Sequence, residues 1–164
     1  MRIVARQLHR KNTSGRSSLA VVASFAERWR CSVPRVLIVD DEENQRRTLA
    51  IGLRLEGFDI AVAGSSQDAI RALGAAGHDG GRPGIDLALI DLMMPGLNGL
   101  ELARQIRRLY PNVRVVLSSA YHLSARQVER ADCGAIGFVP KPYRLAELCS
   151  FLRAKTKAVS PSAC

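Results

Sequence analysis

The chain has 164 residues, 47% of them apolar and 24% charged, a composition that can bury a core and excludes disordered or collagen-like chains. Its length suits one domain with short extensions, and no apolar run approaches the roughly 18 residues that cross a bilayer, so no membrane span is expected. The net charge of +9 would by itself suggest a nucleic-acid or anionic partner, but residues 1–34 hold seven bases against one acid, Glu27, which leaves +3 for the rest.

The basicity therefore belongs to an arm, and the expected division is a basic, flexible arm over residues 1–34, a folded domain over 35–157 and a polar tail over 158–164. Within the arm, Leu19 to Ala26 imitates the apolar part of a signal peptide, and the Arg and Ser bias imitates a transit peptide. The stretch is short, broken by Ser24 and preceded by a long charged leader, which favours an arm or an upstream start of translation. Cys31, Cys133, Cys149 and Cys164 lack the paired short spacing of zinc sites, and His9, His78 and His122 are scattered, so reduced thiols are expected.

From Arg35 onward, short aliphatic runs alternate with helical periodicity, the pattern of repeated βα units and a parallel sheet. Val36 to Val39 is the first strand, and the acids Asp40 to Glu43 open a helix with Leu49, Leu53 and Leu55 on its apolar side and Gly57 at its end. Phe58 to Ala63 is the second strand, followed by a helix capped near Ser65 or Ser66 with Ala69, Ile70, Leu73 and Ala76 on one face. Gly77 to Gly84 reads as a loop without chemistry. The third strand, Asp86 to Ile90, leads to a helix carrying Leu102, Ile106 and Leu109. Val113 to Leu117 is the fourth, and Ser124 to Gln127 has capping-box spacing for a helix reaching about Asp132. Ile136 to Val139 is the fifth, and Leu145, Leu148 and Leu152 mark the last helix.

Open α/β sheets place their ligands beyond the carboxyl ends of the strands. The residues there are Asp40 and Asp41 after strand one, Asp91 after strand three, Ser119 after strand four and Lys141 after strand five. Acids after strands can simply cap helices, but three converging carboxylates repel one another unless a cation intervenes. A hard oxygen cluster with few protein groups suits Mg²⁺, which keeps several waters at about 2.1 Å. One lysine and one hydroxyl complete a site for an anion.

These motifs, in this order, resemble the receiver domain of two-component response regulators: Val36-Leu-Ile-Val-Asp40-Asp41-Glu42, Asp86-Leu-Ala-Leu-Ile-Asp91-Leu-Met-Met-Pro95-Gly-Leu-Asn-Gly99, Leu117-Ser-Ser119-Ala120 and Gly134-Ala-Ile-Gly-Phe138-Val-Pro-Lys141-Pro142. The resemblance implies an α/β, flavodoxin-like, doubly wound sheet of five parallel strands in the order 2-1-3-4-5 with helices on both faces. It implies that Asp91 accepts a phosphoryl group from a histidine kinase or a histidine phosphotransfer protein, with Lys141 and Ser119 completing the reacting site. Asp41, Asp91 and the carbonyl of Met93 are implied as Mg²⁺ ligands, with Asp40 acting mainly through water and Lys141. Ser119 is taken as the hydroxyl because Ala120 follows it. Ser119 and Phe138, three residues before the lysine, are implied as a switch acting on the face of the helix after strand four, strand five and the last helix. Met93 and Tyr121 are implied to control access of water to the phosphoryl group. The lysine is implied to precede a cis Pro142.

Two rivals are a metal-dependent phosphohydrolase using Asp91 and a receiver-like interaction module that works without phosphorylation. No Gly-x-x-x-x-Gly-Lys-Ser/Thr or Gly-x-Ser-x-Gly motif occurs, which removes the parts for nucleotide hydrolysis and acyl transfer. The reading is a stand-alone, cytoplasmic phospho-accepting signalling domain and not an enzyme. It docks a downstream effector protein and carries no DNA-binding domain.

Overall fold

The computed structural model describes residues 33–76, 84–94, 98–120 and 132–156. The arm up to residue 32, the Gly-rich loop up to residue 83, Tyr121, nearly all of the helix expected from Ser124 and the C-terminal tail lie outside the described residues.

The aliphatic runs become five strands: β1 (Arg35–Val39), β2 (Asp59–Ala63), β3 (Leu87–Asp91), β4 (Arg114–Ser119) and β5 (Ala135–Pro140). Every neighbouring pair is parallel, and the order is β2-β1-β3-β4-β5, as expected. Four described helices, α1 (Glu43–Leu55), α2 (Ser66–Ala76), α3 (Gly99–Leu109) and α4 (Leu145–Thr156), cover the two faces. Strand β3 is buried at all five positions because helices lie on both sides of it, which is why it reads as one aliphatic run without alternation.

The twofold alternation of strand side chains sorts the core into two layers. Leu37, Val39, Ala88, Ile90, Val115 and Leu117 pack with Leu73 of α2 and Ile106 of α3. Val36, Ile38, Leu87, Leu89 and Val116 pack on the other face with Leu53 of α1 and Leu152 of α4.

Helix ends follow local chemistry. Gly57 takes φ +86° past α1, and its N–H reaches the Arg54 carbonyl at 3.0 Å. Ser65 caps α2, its Oγ accepting from the Asp68 N–H at 3.1 Å, and Asn98 caps α3 by accepting from the Glu101 N–H at 3.0 Å.

Three leucines expected on apolar helix sides are instead open to solvent: Leu55 is 84% exposed, Leu109 48% and Leu145 39%. Leu55 stands two residues after the buried Leu53, more than half a turn away. Leu109 ends α3, whereas Leu145 begins α4 and leans on Gly52 of α1, where an added Cβ would lie 3.1 Å from its Cδ2. Cys133 and Cys149 are buried and free. No helix among the described residues is long and apolar enough to cross a membrane.

Candidate functional site

The carboxyl ends of β1, β3, β4 and β5 meet at one edge of the sheet. Asp40 follows β1 and Asp91 ends β3, and each is nearly buried, whereas Asp41 is exposed. One carboxylate oxygen from each of Asp40, Asp41 and Asp91 lies within 4.8 Å of the others.

Lys141 reaches across this cluster from the loop after β5. Its Nζ donates to Asp40 Oδ2 and to Asp91 Oδ2, each at 2.8 Å. Burial by itself would push this ammonium down, but the hydrogen bonds to Asp40 and Asp91 outweigh it and hold the lysine above its ordinary range. The Lys141 main-chain N–H donates to the Ser119 carbonyl at 2.8 Å, and the Lys141-Pro142 bond is cis.

The remaining oxygens are held locally. Asp40 Oδ1 accepts from the Glu42 N–H at 2.9 Å, and the Asp40 carbonyl accepts from Arg46 at 2.6 Å. Among the described residues, Asp91 Oδ1 accepts a long bond of 3.3 Å from the Met93 N–H. The Met93 side chain is 58% exposed two residues beyond Asp91.

The two serines of β4 face opposite layers. Ser118 sits opposite Asp91 in the parallel register, on the Val116 side of the sheet, while Ser119 follows Leu117 on the other side and is 1% exposed. Phe138 pairs with Leu117 and packs into that same layer, so Ser119 and Phe138 share a face. The structure thus brings Asp40, Asp41, Asp91 and Lys141 together and places Ser119 and Phe138 on one face of the sheet. Tyr121 lies outside the described residues. Sequence reasoning weighed Ser118 only as a rival to Ser119 for the hydroxyl, and it did not single out Arg46, which holds the Asp40 carbonyl.

Helix α3 begins against the acceptor strand. A Cβ at Gly99 would lie 2.4 Å from the Asp91 carbonyl oxygen, so only glycine lets the helix start there. Gly99→Ala is expected to destabilise the fold by about 1–3 kcal/mol, the usual range for overpacking, and to shift the loop after Asp91. Urea unfolding measures it, and an unchanged midpoint would show that the approach is looser than this.

The chemistry of the cluster follows from its charges. Three carboxylates face one ammonium, leaving an excess that one divalent cation balances, and the donors are the hard oxygens that Mg²⁺ prefers.

A family model described as the response regulator receiver domain matches residues 36–153. Response regulator MprA from Mycobacterium sp. (strain KMS) is 34% identical over 127 residues, which are 77% of this chain and 52% of that protein. MprA from Mycobacterium avium (strain 104) is 33% identical over 127 residues, 77% of this chain and 53% of that one. The chain spans about half the length of these relatives. Among solved structures, response regulator protein TrrA from Thermotoga maritima, in complex with Mg(2+)-BeF, is 30% identical with a TM-score of 0.63, covering 74% of this chain and 98% of that one. A CheY-like receiver domain protein from Methanospirillum hungatei JF-1 has a TM-score of 0.65 at 23% identity over 76% of this chain and 94% of that one, a likeness of fold.

Proposed function

The chain belongs to the response regulator receiver family of two-component systems, and from that premise we propose that it accepts a phosphoryl group on Asp91 from a histidine kinase or histidine phosphotransfer protein. Phosphorylated, it signals by docking a downstream effector protein in the cytoplasm, and it acts as a phospho-accepting domain over residues 35–157 without turning over a substrate. The observation that carries the reading is the cluster of three carboxylates, two of which, Asp40 and Asp91, are bridged at 2.8 Å by Lys141.

Lys141 holds Oδ2 of Asp91, which leaves the loosely bonded Oδ1 as the attacking oxygen. A bond forms between that oxygen and phosphorus while the donor's phosphorus–nitrogen bond breaks and the imidazole leaves. Asp40, Asp41, Asp91 and the Met93 carbonyl would hold Mg²⁺, whose bound charge would offset that of the phosphoryl oxygens. Lys141 supplies a second, fixed positive charge where negative charge develops, so the protein's contribution is position and electrostatics. TrrA, which carries Mg(2+)-BeF, supports this use of such a pocket. Ser119 then bonds a phosphoryl oxygen, and its movement lets the Phe138 ring turn inward on the shared face.

The test is intact mass after incubation with Mg²⁺ and acetyl phosphate. One phosphoryl increment that disappears with a chelator is expected; no increment, even from a phosphorylated phosphotransfer protein, would overturn the proposal.

The phosphoryl group is expected to persist, because Met93, two residues beyond the acceptor, has no carboxylate or amide to orient an attacking water. Tyr121 is assigned the same screening role. Met93→Asn should shorten the half-life several-fold, and an unchanged decay would remove Met93 from control of access.

A further inference from the structure

We propose that Arg46 is a positioning residue that clamps the peptide between Asp40 and Asp41 and so sets the aim of Asp41 into the carboxylate cluster. The proposal rests on the reading of that cluster as the Mg²⁺ and phosphoryl site, and extends it to a side chain that touches neither group.

Arg46 is the fourth residue of α1, an unfavourable place for a cation. The positive end of the helix dipole lies there, and Glu43 at the head of the same turn is the residue type it favours. The arginine gives its own helix no electrostatic support. Its side chain runs back toward the helix start, the direction long helical side chains take. There Nη1 donates to the Asp40 carbonyl at 2.6 Å, a short charge-assisted bond between residues six apart.

The guanidinium is seated as well as bonded. Gly64 is the first residue after β2, and a Cβ there would lie 3.2 Å from Nη1 and 3.4 Å from both Cζ and Nη2. The missing side chain is what leaves room for the arginine head. Pairing of β1 with β2 runs one bond past their ends, from the Asp40 N–H to the Ala63 carbonyl at 3.2 Å. Arg46, partly buried, thus lies over the place where the two strands finish.

Asp41 is the residue affected. Asp40 is held at its N–H by Ala63, at its carboxylate by the Glu42 N–H and Lys141, and at its carbonyl by Arg46. A peptide is planar, so fixing the Asp40 carbonyl oxygen also fixes the N–H of Asp41 and the bond that leads to its Cα. Asp41 is exposed, yet one of its carboxylate oxygens lies within 4.8 Å of oxygens on Asp40 and Asp91. With the peptide already set, fewer torsions remain to be ordered when a cation arrives, which lowers the entropic cost of binding it.

The sign of the effect separates this role from that of a plain charge. A cation beside the cluster repels Mg²⁺, so its removal would tighten binding if charge alone mattered. In calorimetric titration of the full chain with MgCl₂, Arg46→Gln is expected instead to weaken binding about three- to tenfold, the range one net hydrogen bond supplies. Gly64 lies outside the left-handed region, so Gly64→Ala meets the guanidinium without backbone strain. It keeps the charge, displaces the arginine head and should weaken binding about two- to fivefold, which also decides the matter if Arg46→Gln fails to fold. Arg47, 74% exposed and paired with Glu43 at 3.3 Å, is the control: Arg47→Gln removes a neighbouring charge and should bind Mg²⁺ as wild type does or slightly tighter.

A bond that served stability alone would lower the unfolding midpoint and leave the affinity of the folded protein unmoved. Unchanged or tighter binding in Arg46→Gln or Gly64→Ala therefore overturns the proposal, as does equal weakening in Arg47→Gln. A wild type that takes up a phosphoryl group, with variants of unmoved affinity, defeats the clamp and spares the acceptor reading. A wild type that binds Mg²⁺ and takes up no phosphoryl group from any donor, with both variants weakened, defeats the acceptor reading and leaves the clamp standing.

Discussion

Asp91→Asn should take up no phosphoryl group from any donor while remaining folded. The amide has nearly the shape of the carboxylate but no charged oxygen to attack phosphorus. The neighbouring acids are poorly placed to substitute. Asp40 has both oxygens engaged, one by the Glu42 N–H at 2.9 Å and one by Lys141 at 2.8 Å, and Asp41 stands exposed at the edge of the cluster. Folding should survive because Lys141 keeps its bond to Asp40, and because losing one of three crowded carboxylates relieves repulsion that offsets the lost charge-assisted bond. Stability within about 1 kcal/mol of wild type is expected from chemical denaturation. Intact mass decides the main point: a phosphoryl increment on Asp91→Asn would mean that a different residue is the acceptor.

Much of this site was legible in the sequence because a parallel sheet imposes a simple rule. Strands buried on both faces must be aliphatic, as Val36 to Val39 and Leu87 to Ile90 are, and the first polar residue after each run marks the strand's carboxyl end. That rule alone gathers Asp40, Asp91 and Lys141. It also sets the limit of the reading. β3 extends to Asp91 and β4 to Ser119, each past the last aliphatic residue, because backbone pairing continues between Asp91 and Ser118 whatever the side chains are. The bond from the Lys141 N–H to the Ser119 carbonyl joins two different elements, so no local pattern encodes it. Helix faces were legible in the interior and not at the ends. Leu53, Leu102, Ile106, Leu148 and Leu152 are buried, while Leu55 and Leu109, in last turns, and Leu145, in a first turn, have less sheet or helix above them.

Lys141→Ala should be the most destabilising change in the pocket, and its cost should depend on conditions in a way that plain loss of packing cannot imitate. The side chains of Lys141, Asp40 and Asp91 are 12%, 7% and 10% exposed, so the variant leaves two buried carboxylates facing each other without a cation. Removing one partner of a buried ion pair costs about 3–5 kcal/mol. The lysine's pKa is raised: burial lowers it, but the bonds to Asp40 and Asp91 more than reverse that. A raised value means that the lysine's stabilisation is complete below its unfolded pKa and is lost only as pH rises through the folded one, in the alkaline range. The whole penalty is therefore present at pH 7. It should shrink with millimolar Mg²⁺, which binds the folded cluster and not the unfolded chain. Urea unfolding of wild type and variant at pH 7, with and without Mg²⁺, measures the dependence. A deficit that is the same under both conditions would assign it to the lost methylenes of Lys141 and remove the charge balance from the explanation of this pocket.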